Sequence, residues 1–182
     1  MRGATAVQYV NRCIKFDLPN GKTVDLLSEA LNKMIQWKQD DNQKTESCGF
    51  ILGYKNSETG NITLSDITTP QKGDYRSRCF CKLKDKLHFE LIKRNIEKKN
   101  FYMGVWHTHP ENTPSPSFID YRDWNEILEK DSTGSEFAFF IIIGQAEFKM
   151  WVGSYETNEI LEVYEAKIID GIYVKDNSKY EN

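Results

Sequence analysis

His107 and His109 stand one residue apart in "GVWHTHPENTPSPSFID", residues 104–120, and Asp120 closes the same stretch. The chain has one other histidine, His88. On an extended strand, side chains two apart share a side, so both imidazoles project together and Thr108 projects opposite. Their Cα atoms then lie about 6–7 Å apart, close enough for neutral imidazoles to converge on one ion. Pro110 has no N–H and helps to stop the strand. The loop that follows can fold back and bring the Asp120 carboxylate to the same place. Zinc held by two imidazoles and one carboxylate keeps a fourth position for water, whose pKa falls from about 15.7 toward roughly 7.

The spacing alone leaves other readings open. Paired strand histidines are commonly structural or surface residues. Ser117-Phe118-Ile119-Asp120 also reads as a helix capping box, with Ser117 at the N-cap and Asp120 at N3. Two histidines and a carboxylate can equally hold ferrous iron. Hydrolysis needs a further carboxylate, outside the ligand set, that takes a proton from water and returns it to the leaving amine. Glu46 is a candidate because it enters the apolar run "ESCGFILG", residues 46–53. On physics alone it is equally an exposed charge at a strand end. His88 reads as structural.

The elements that must position these residues follow from periodicity. "CIKFDL" (13–18) alternates as a half-buried strand does, and "PNGK" turns the chain. Apolar residues between Leu26 and Trp37 recur at steps of three and four, which predicts a helix over 25–38. "SCGFILGY" (47–54) and "NITLSDITT" (61–69) read as strands joined by the hairpin loop "NSETG". Residues 70–78 are polar and are expected to be mobile. A second helix is expected over 84–99, with Leu87, Leu91, Ile92 and Ile96 inward. Strand 101–107 leads into the histidines, and a helix is expected over 117–130. "EFAFFIIIG" (136–144) is apolar throughout, as a central strand covered on both faces would be. "EFKMWVGSY" and "EILEVYEAKII" complete the sheet. The fold class is therefore α/β (α+β), a single mixed sheet flanked by helices, in a domain over 1–172 with a flexible tail over 173–182.

Composition narrows the function. Net charge is −3, with 39% hydrophobic and 28% charged residues, which is ordinary for a soluble globular chain. No apolar run approaches the roughly 18 residues that span a bilayer. The first residues, "MRGATAVQYVNRC", lack the apolar core of a signal peptide. A cytoplasmic protein with no membrane partner is expected, so Cys13, Cys48, Cys79 and Cys81 should be reduced. "CFC" lacks the spacing of a zinc ribbon. Residues 76–99 hold nine Lys/Arg against three Asp/Glu, but no interleaved aromatic platform accompanies them, so nucleic acid is not the expected partner.

Taken together, "ESCGFILG", "GVWHTHP" and "PSPSFID" resemble the JAMM metalloproteases, or MPN-plus domain. That family's pattern is a Glu, then His-Ser/Thr-His, seven residues, Ser, two residues and Asp. Residues 107–120 fit it without a gap, and the stretch 104–110 is most similar to the prokaryotic JAB-type branch. The resemblance implies a cytidine-deaminase-like fold. It implies one zinc ion on His107, His109 and Asp120, Glu46 as general acid/base, and Ser117 as hydrogen-bond donor to the oxyanion. It implies cleavage after the C-terminal glycine of a ubiquitin-like protein, or of a protein conjugated like one, whose extended tail enters the cleft. Deubiquitinase-like deconjugation in antiphage defence beside E1- and E2-like enzymes is one setting. Processing of sulfur carriers, or a non-catalytic MPN module, is the alternative.

Overall fold

The computed structural model of the chain describes residues 13–169 and 172–174. The chain enters on β1 (Ile14–Asp17), turns through Pro19–Lys22, and returns antiparallel as β2 (Thr23–Leu26). Helix α1 (Ser28–Ile35) follows, then the hairpin of β3 (Cys48–Lys55) and β4 (Ile62–Ile67). A small hairpin of β5 (Tyr75–Ser77) and β6 (Phe80–Lys82) stands apart from the main sheet. Next come α2 (Leu87–Glu97), β7 (Phe101–Thr108), α3 (Phe118–Lys130), β8 (Phe137–Ile143), β9 (Phe148–Ser154) and β10 (Ile160–Val163). A last hairpin pairs β11 (Lys167–Ile169) with β12 (Ile172–Val174).

Eight strands form one mixed sheet in the order β1-β2-β4-β3-β7-β8-β9-β10. Two pairs are parallel, β2 with β4 and β7 with β8, and each needs a crossover that carries a helix. Strand β8 is buried along its whole length, as its unbroken apolar run requires. Its side chains alternate between two cores. Phe139, Ile141 and Ile143 pack on the α1 side with Leu31, Met34 and Met103. Ala138, Phe140 and Ile142 pack on the other side with Trp124 and Leu128 of α3. Phe50 of β3 is the register partner of Val105, which packs against the α3 core. Phe50 also contacts His88 and Phe89 of α2, so α2 and α3 lie on the same face of the sheet.

Several elements differ from their sequence expectation. The helix expected over 25–38 is shorter, because Val24 and Leu26 are more completely buried in a strand between β1 and β4 than a helix would leave them. Of the second helix's apolar residues, Leu87 and Ile96 face solvent, and the buried side chain is His88. Residues 70–78 are not a loose loop. Asp74 accepts backbone N–H groups from Gln71, Lys84 and Asp85 and bonds His88 Nε2 at 2.7 Å. In the neutral tautomer that donates Nε2–H to Asp74, His88 Nδ1 accepts from the Thr68 hydroxyl at 2.8 Å. That hydroxyl oxygen in turn accepts from Phe50 N. His88 is thus structural, and it pins α2 and the β5–β6 hairpin to the sheet. The segment "EILEVYEAKII" does not make one strand: β10 joins the main sheet and β11 turns to pair with β12. Residues 173–174 belong to β12, while the rest of the tail expected to be flexible, 175–182, lies outside the described residues, as do 1–12 and 170–171.

The cysteines also depart from expectation. Cys48 on β3 and Cys81 on β6 are bonded, with their Cα atoms 6.0 Å apart, inside the span a disulfide bridges. The fold brings together two residues that their sequence separation hides. Cys13 and Cys79 are free and exposed.

At Gly49 and Gly104 a side chain has no room beside the site-bearing strands. A Cβ at Gly49 would lie 1.9 Å from Thr68 O and 2.5 Å from Trp106 Nε1, between the partners of the Trp106–Thr68 hydrogen bond. At Gly104 φ is +148°, and a Cβ would meet Phe139 O at 1.9 Å.

Two measurements check this description. Asp74→Ala should cost about 3–4 kcal/mol at neutral pH, because it strands a buried histidine and several N–H groups. Although burial acts to raise the Asp74 pKa, its hydrogen bonds hold it below the ordinary value, so its contribution is complete at neutral pH. The gap between wild type and variant in denaturant titrations should therefore close only as pH falls through that depressed value. Thiol titration of the unreduced, unfolded chain should find two reactive groups, Cys13 and Cys79, and four after reduction.

Candidate active site

The site forms where β7 ends and α3 begins, beside the first residue of β3. This is the C-terminal end of a parallel strand pair, where open α/β sheets commonly leave a crevice. His107 lies in β7, and His109 follows just past its end. His109 N donates to Ile143 O, so the strand's pairing with β8 continues through the second histidine. Both rings therefore face the same side, as the alternation predicts.

Asp120 arrives from the third position of α3, and the capping box fixes its carboxylate. Ser117 Oγ accepts from Asp120 N at 3.2 Å, and Asp120 Oδ2 accepts from Ser117 N and Ser117 Oγ, each at 2.6 Å. Oδ1 is left to approach His107 Nε2 at 3.1 Å, while Oδ2 lies 3.5 Å from His109 Nε2. The two Nε2 atoms are 3.0 Å apart. Ligand atoms about 2.0–2.1 Å from a tetrahedral zinc stand about 3.3 Å from one another; the two Nε2 atoms, and each Nε2 with one of the two Asp120 oxygens, are at separations of that size. The donor set is a possible metal site. Glu111 lies 3.8 Å from His109 Nδ1, on the far side of the ring, where an outer carboxylate orients a ligand. Behind His107 sits Trp124, its ring stacked on Phe140 with centroids 4.6 Å apart.

Glu46 reaches the same place from the start of β3. Cys48 is the register partner of His107, which puts Glu46 beside His109. The Glu46 side chain borders the cleft but is largely buried. Burial pushes its carboxyl up, His107 and His109 pull it back, and Asp120 raises it further. The opposite holds for Asp120. Burial would raise it, but hydrogen bonds from His107, His109 and Ser117 hold it far below the carboxylate range. For His109, burial acts to lower the pKa, and the Asp120 carboxylate outweighs it and raises it.

Thr108 projects opposite the imidazoles, as expected, but its role was not legible in the sequence. Its Oγ1 accepts from Ser47 N at 3.0 Å and donates to Gln39 Oε1 at 2.9 Å. Gln39 is fully buried, and its Nε2 donates to Arg78 O at 2.9 Å. One hydroxyl thus ties the histidine strand, the Glu46 segment and the β5–β6 hairpin together. Thr108 stands between the histidines, so the tripeptide itself was the available signal. Gln39 and Glu111 gave none.

These groups open into a cleft of about 770 Å³. Its floor is Phe50, Tyr102 and Val105, with Phe80 and Leu83 of the hairpin on one side and Ile127 of α3 on the other. The sequence of residues 27–155 matches the family model for prokaryotic homologs of the JAB domain. The chain belongs to this family. A CD-NTase/cGAS isopeptidase of Vibrio cholerae serotype O1 is 27% identical to it over 144 residues, 78% of this chain and 86% of the relative. A protein of the same name from Escherichia coli is 28% identical over 140 residues, 75% and 85% of the two chains. One from Pseudomonas aeruginosa is 48% identical over 103 residues, 55% and 64%. The solution structure of a Desulfitobacterium hafniense protein shares the fold, with a TM-score of 0.53 at 19% identity over 79% of this chain and 90% of that one.

Thr108→Val keeps the shape of the side chain but leaves Ser47 N and Gln39 Oε1 buried without this partner. Denaturant titration should show a loss of about 2–4 kcal/mol, since each stranded group costs about 1–3 kcal/mol.

Proposed function

We propose that this JAB protein is a zinc-dependent isopeptidase that releases a conjugated protein, of the CD-NTase class for which its relatives are named, from the amine to which it has been joined. The observation that carries the reading is the clustering of three metal-donor side chains, their ligand atoms all within 4.8 Å of one another, with a buried carboxylate alongside. A ferrous oxygenase would need no such carboxylate outside the ligand set. A non-catalytic MPN module would need none of the four.

His107, His109 and Asp120 would hold the zinc, which when bound polarises the scissile carbonyl and lowers the pKa of water. Glu46 takes a proton from the attacking water and passes it to the departing nitrogen, so that the C–N bond breaks to a carboxylic acid and a free amine. The same burial that raises Glu46 makes it able to hold that proton between the two steps. Ser117 donates its Oγ–H to the carbonyl oxygen as charge gathers there, a contribution of about 3–4 kcal/mol in other enzymes. In the resting site that proton points at Asp120 Oδ2. Donation to substrate requires only rotation about Cβ–Oγ, with acceptance from Asp120 N retained.

In this reading the substrate enters as an extended C-terminal tail, for which a cleft of about 770 Å³ has room, whereas a folded body does not fit. An isopeptidase of this kind works in the cytoplasm against E1- and E2-like conjugating partners, in antiphage defence. Among the described residues no helix is long and apolar enough to cross a membrane.

The test is a CD-NTase whose C-terminal carboxyl is joined to the ε-amine of a labelled lysine. Wild-type protein with zinc should release the lysine, and chelation should stop it. Glu46→Gln should keep one zinc per chain and lose about 10²–10⁴-fold in kcat, the range of general acid–base catalysis. His109→Ala should lose both metal and turnover. A normal rate in Glu46→Gln would remove Glu46 from the mechanism, and a wild-type chain that binds no zinc would end the reading.

A further inference from the structure

Arg76 is a cation beside the site that the reaction does not use. It lies on β5, half-buried, and its guanidinium sits 5.3 Å from the centroid of the Trp37 ring. Its polar atoms turn toward the segment that carries Glu46. Nε donates to Glu46 O at 2.7 Å. Nη2 donates to Ser47 Oγ at 2.5 Å and approaches Thr45 O at 3.4 Å. The next residue of β5, Ser77, accepts the Glu46 N–H at 2.8 Å. Both main-chain polar groups of Glu46 therefore end on this one short strand. Two residues further on, Cys48 is bonded to Cys81 on β6, the other strand of the hairpin.

Residues 45–47 lie just before β3, and Ser47 is still paired with Thr108 of β7, but the main-chain N–H and C=O of Glu46 are held by the hairpin and not by β7. That hold matters, because a proton carrier displaced by about 1 Å can lose about 10²-fold in rate. A guanidinium is suited to this task. Its fork is planar and rigid, so Nε and Nη2 can address oxygens of three successive residues at once. Lysine has the charge without the fork. The Trp37 ring lies within cation–π range of the guanidinium and adds a contact that holds it there.

We propose that Arg76 is a positioning residue for Glu46, and that through it the β5–β6 hairpin sets where the carboxylate stands. The proposal rests on the reading of Glu46 as the proton carrier. Arg76 itself touches neither substrate nor metal ligands. Because the hairpin also walls the cleft through Phe80 and Leu83, the element that meets the substrate tail is the one that holds the base.

The experiment uses the full zinc-loaded chain and the CD-NTase–lysine conjugate, with Arg76→Lys, Arg76→Ala and Glu46→Gln in parallel. Both Arg76 variants should bind one zinc per chain and keep KM within about twofold, while kcat falls by about 10- to 100-fold. Millimolar guanidinium should restore part of the kcat of Arg76→Ala and none of that of Glu46→Gln. Independently of turnover, hydrogen exchange over residues 45–50 should quicken in Arg76→Ala while β8 stays protected. In Glu46→Gln that exchange should match wild type. An unchanged kcat in Arg76→Lys with unchanged exchange in Arg76→Ala overturns the proposal. So does a fall in kcat that comes with zinc loss or a raised KM, which would make Arg76 part of the general scaffold. A normal rate in Glu46→Gln defeats the underlying reading instead, and the exchange result then still reports whether Arg76 orders the segment.

Discussion

Two imidazole nitrogens and a carboxylate stand within about 3.5 Å of one another at the end of β7, and lone pairs at that distance repel unless something positive lies among them. Without a cation, protons serve: Asp120 is held far below its ordinary pKa and His109 above its own. The same arrangement suits a divalent ion, because two imidazoles and a carboxylate are the donor types that such an ion binds, and here they converge. Much of the surrounding fold can be read as the means of keeping these mutually repelling groups in place. The two histidines sit on a central strand gripped by β3 and β8. The aspartate sits in a capping box, where its oxygen is held by the backbone and the hydroxyl of the same residue.

The capping box and the metal site are therefore not competing readings of Ser117-Phe118-Ile119-Asp120. A carboxylate at N3 that accepts the N-cap N–H has one oxygen anchored and the other directed outward. The positive end of α3 favours its negative charge. The chain uses a common helix start to aim a carboxylate oxygen at the two histidines. It similarly uses the opposite-facing residue of the histidine strand, Thr108, to lock the segment that carries Glu46. In both cases one local motif meets a folding need and a chemical need with different atoms.

How much of this was legible in the sequence depended on whether the signal was local. His107, His109, Ser117 and Asp120 lie within fourteen residues, so strand alternation made their convergence a possible reading, and the family pattern chose it over the others. The unbroken apolar run at 137–143 fixed the centre of the sheet. Glu46 was harder, since it lies about sixty residues from the histidines: its entry into an apolar run made it a candidate, but only the family pattern decided between that and an exposed strand-end charge. Leu26 and Leu27 fitted a helical period, yet Leu26 was taken by a strand, because pairing with β4 is a long-range fact that a period cannot encode. The polar stretch 70–78 read as loose because its order comes from buried partners far along the chain, Asp74 with His88 and Arg76 with residues 45–47. Composition likewise argued against a disulfide, and proximity in the fold decided for one.

That last group of misses has a common location. Asp74, Arg76, Arg78 and Cys81 all belong to the hairpin region, and each is tied to something outside it: a helix, the Glu46 segment, a buried glutamine, a strand. A hairpin of three-residue strands buries too little apolar surface to be stable alone. Here polar and covalent ties replace the missing core. Such ties are directional, so unlike hydrophobic contact they fix position as well as presence. A wall of the cleft built this way can be small, polar and remote from the main core and still hold a carboxylate in register with ligands on another strand. The three donors of the proposed metal site are placed by the sheet and one helix alone, whereas the carboxylate proposed to move a proton beside them is held both by the sheet, through Thr108 and Ser47, and by an element that the sheet does not contain.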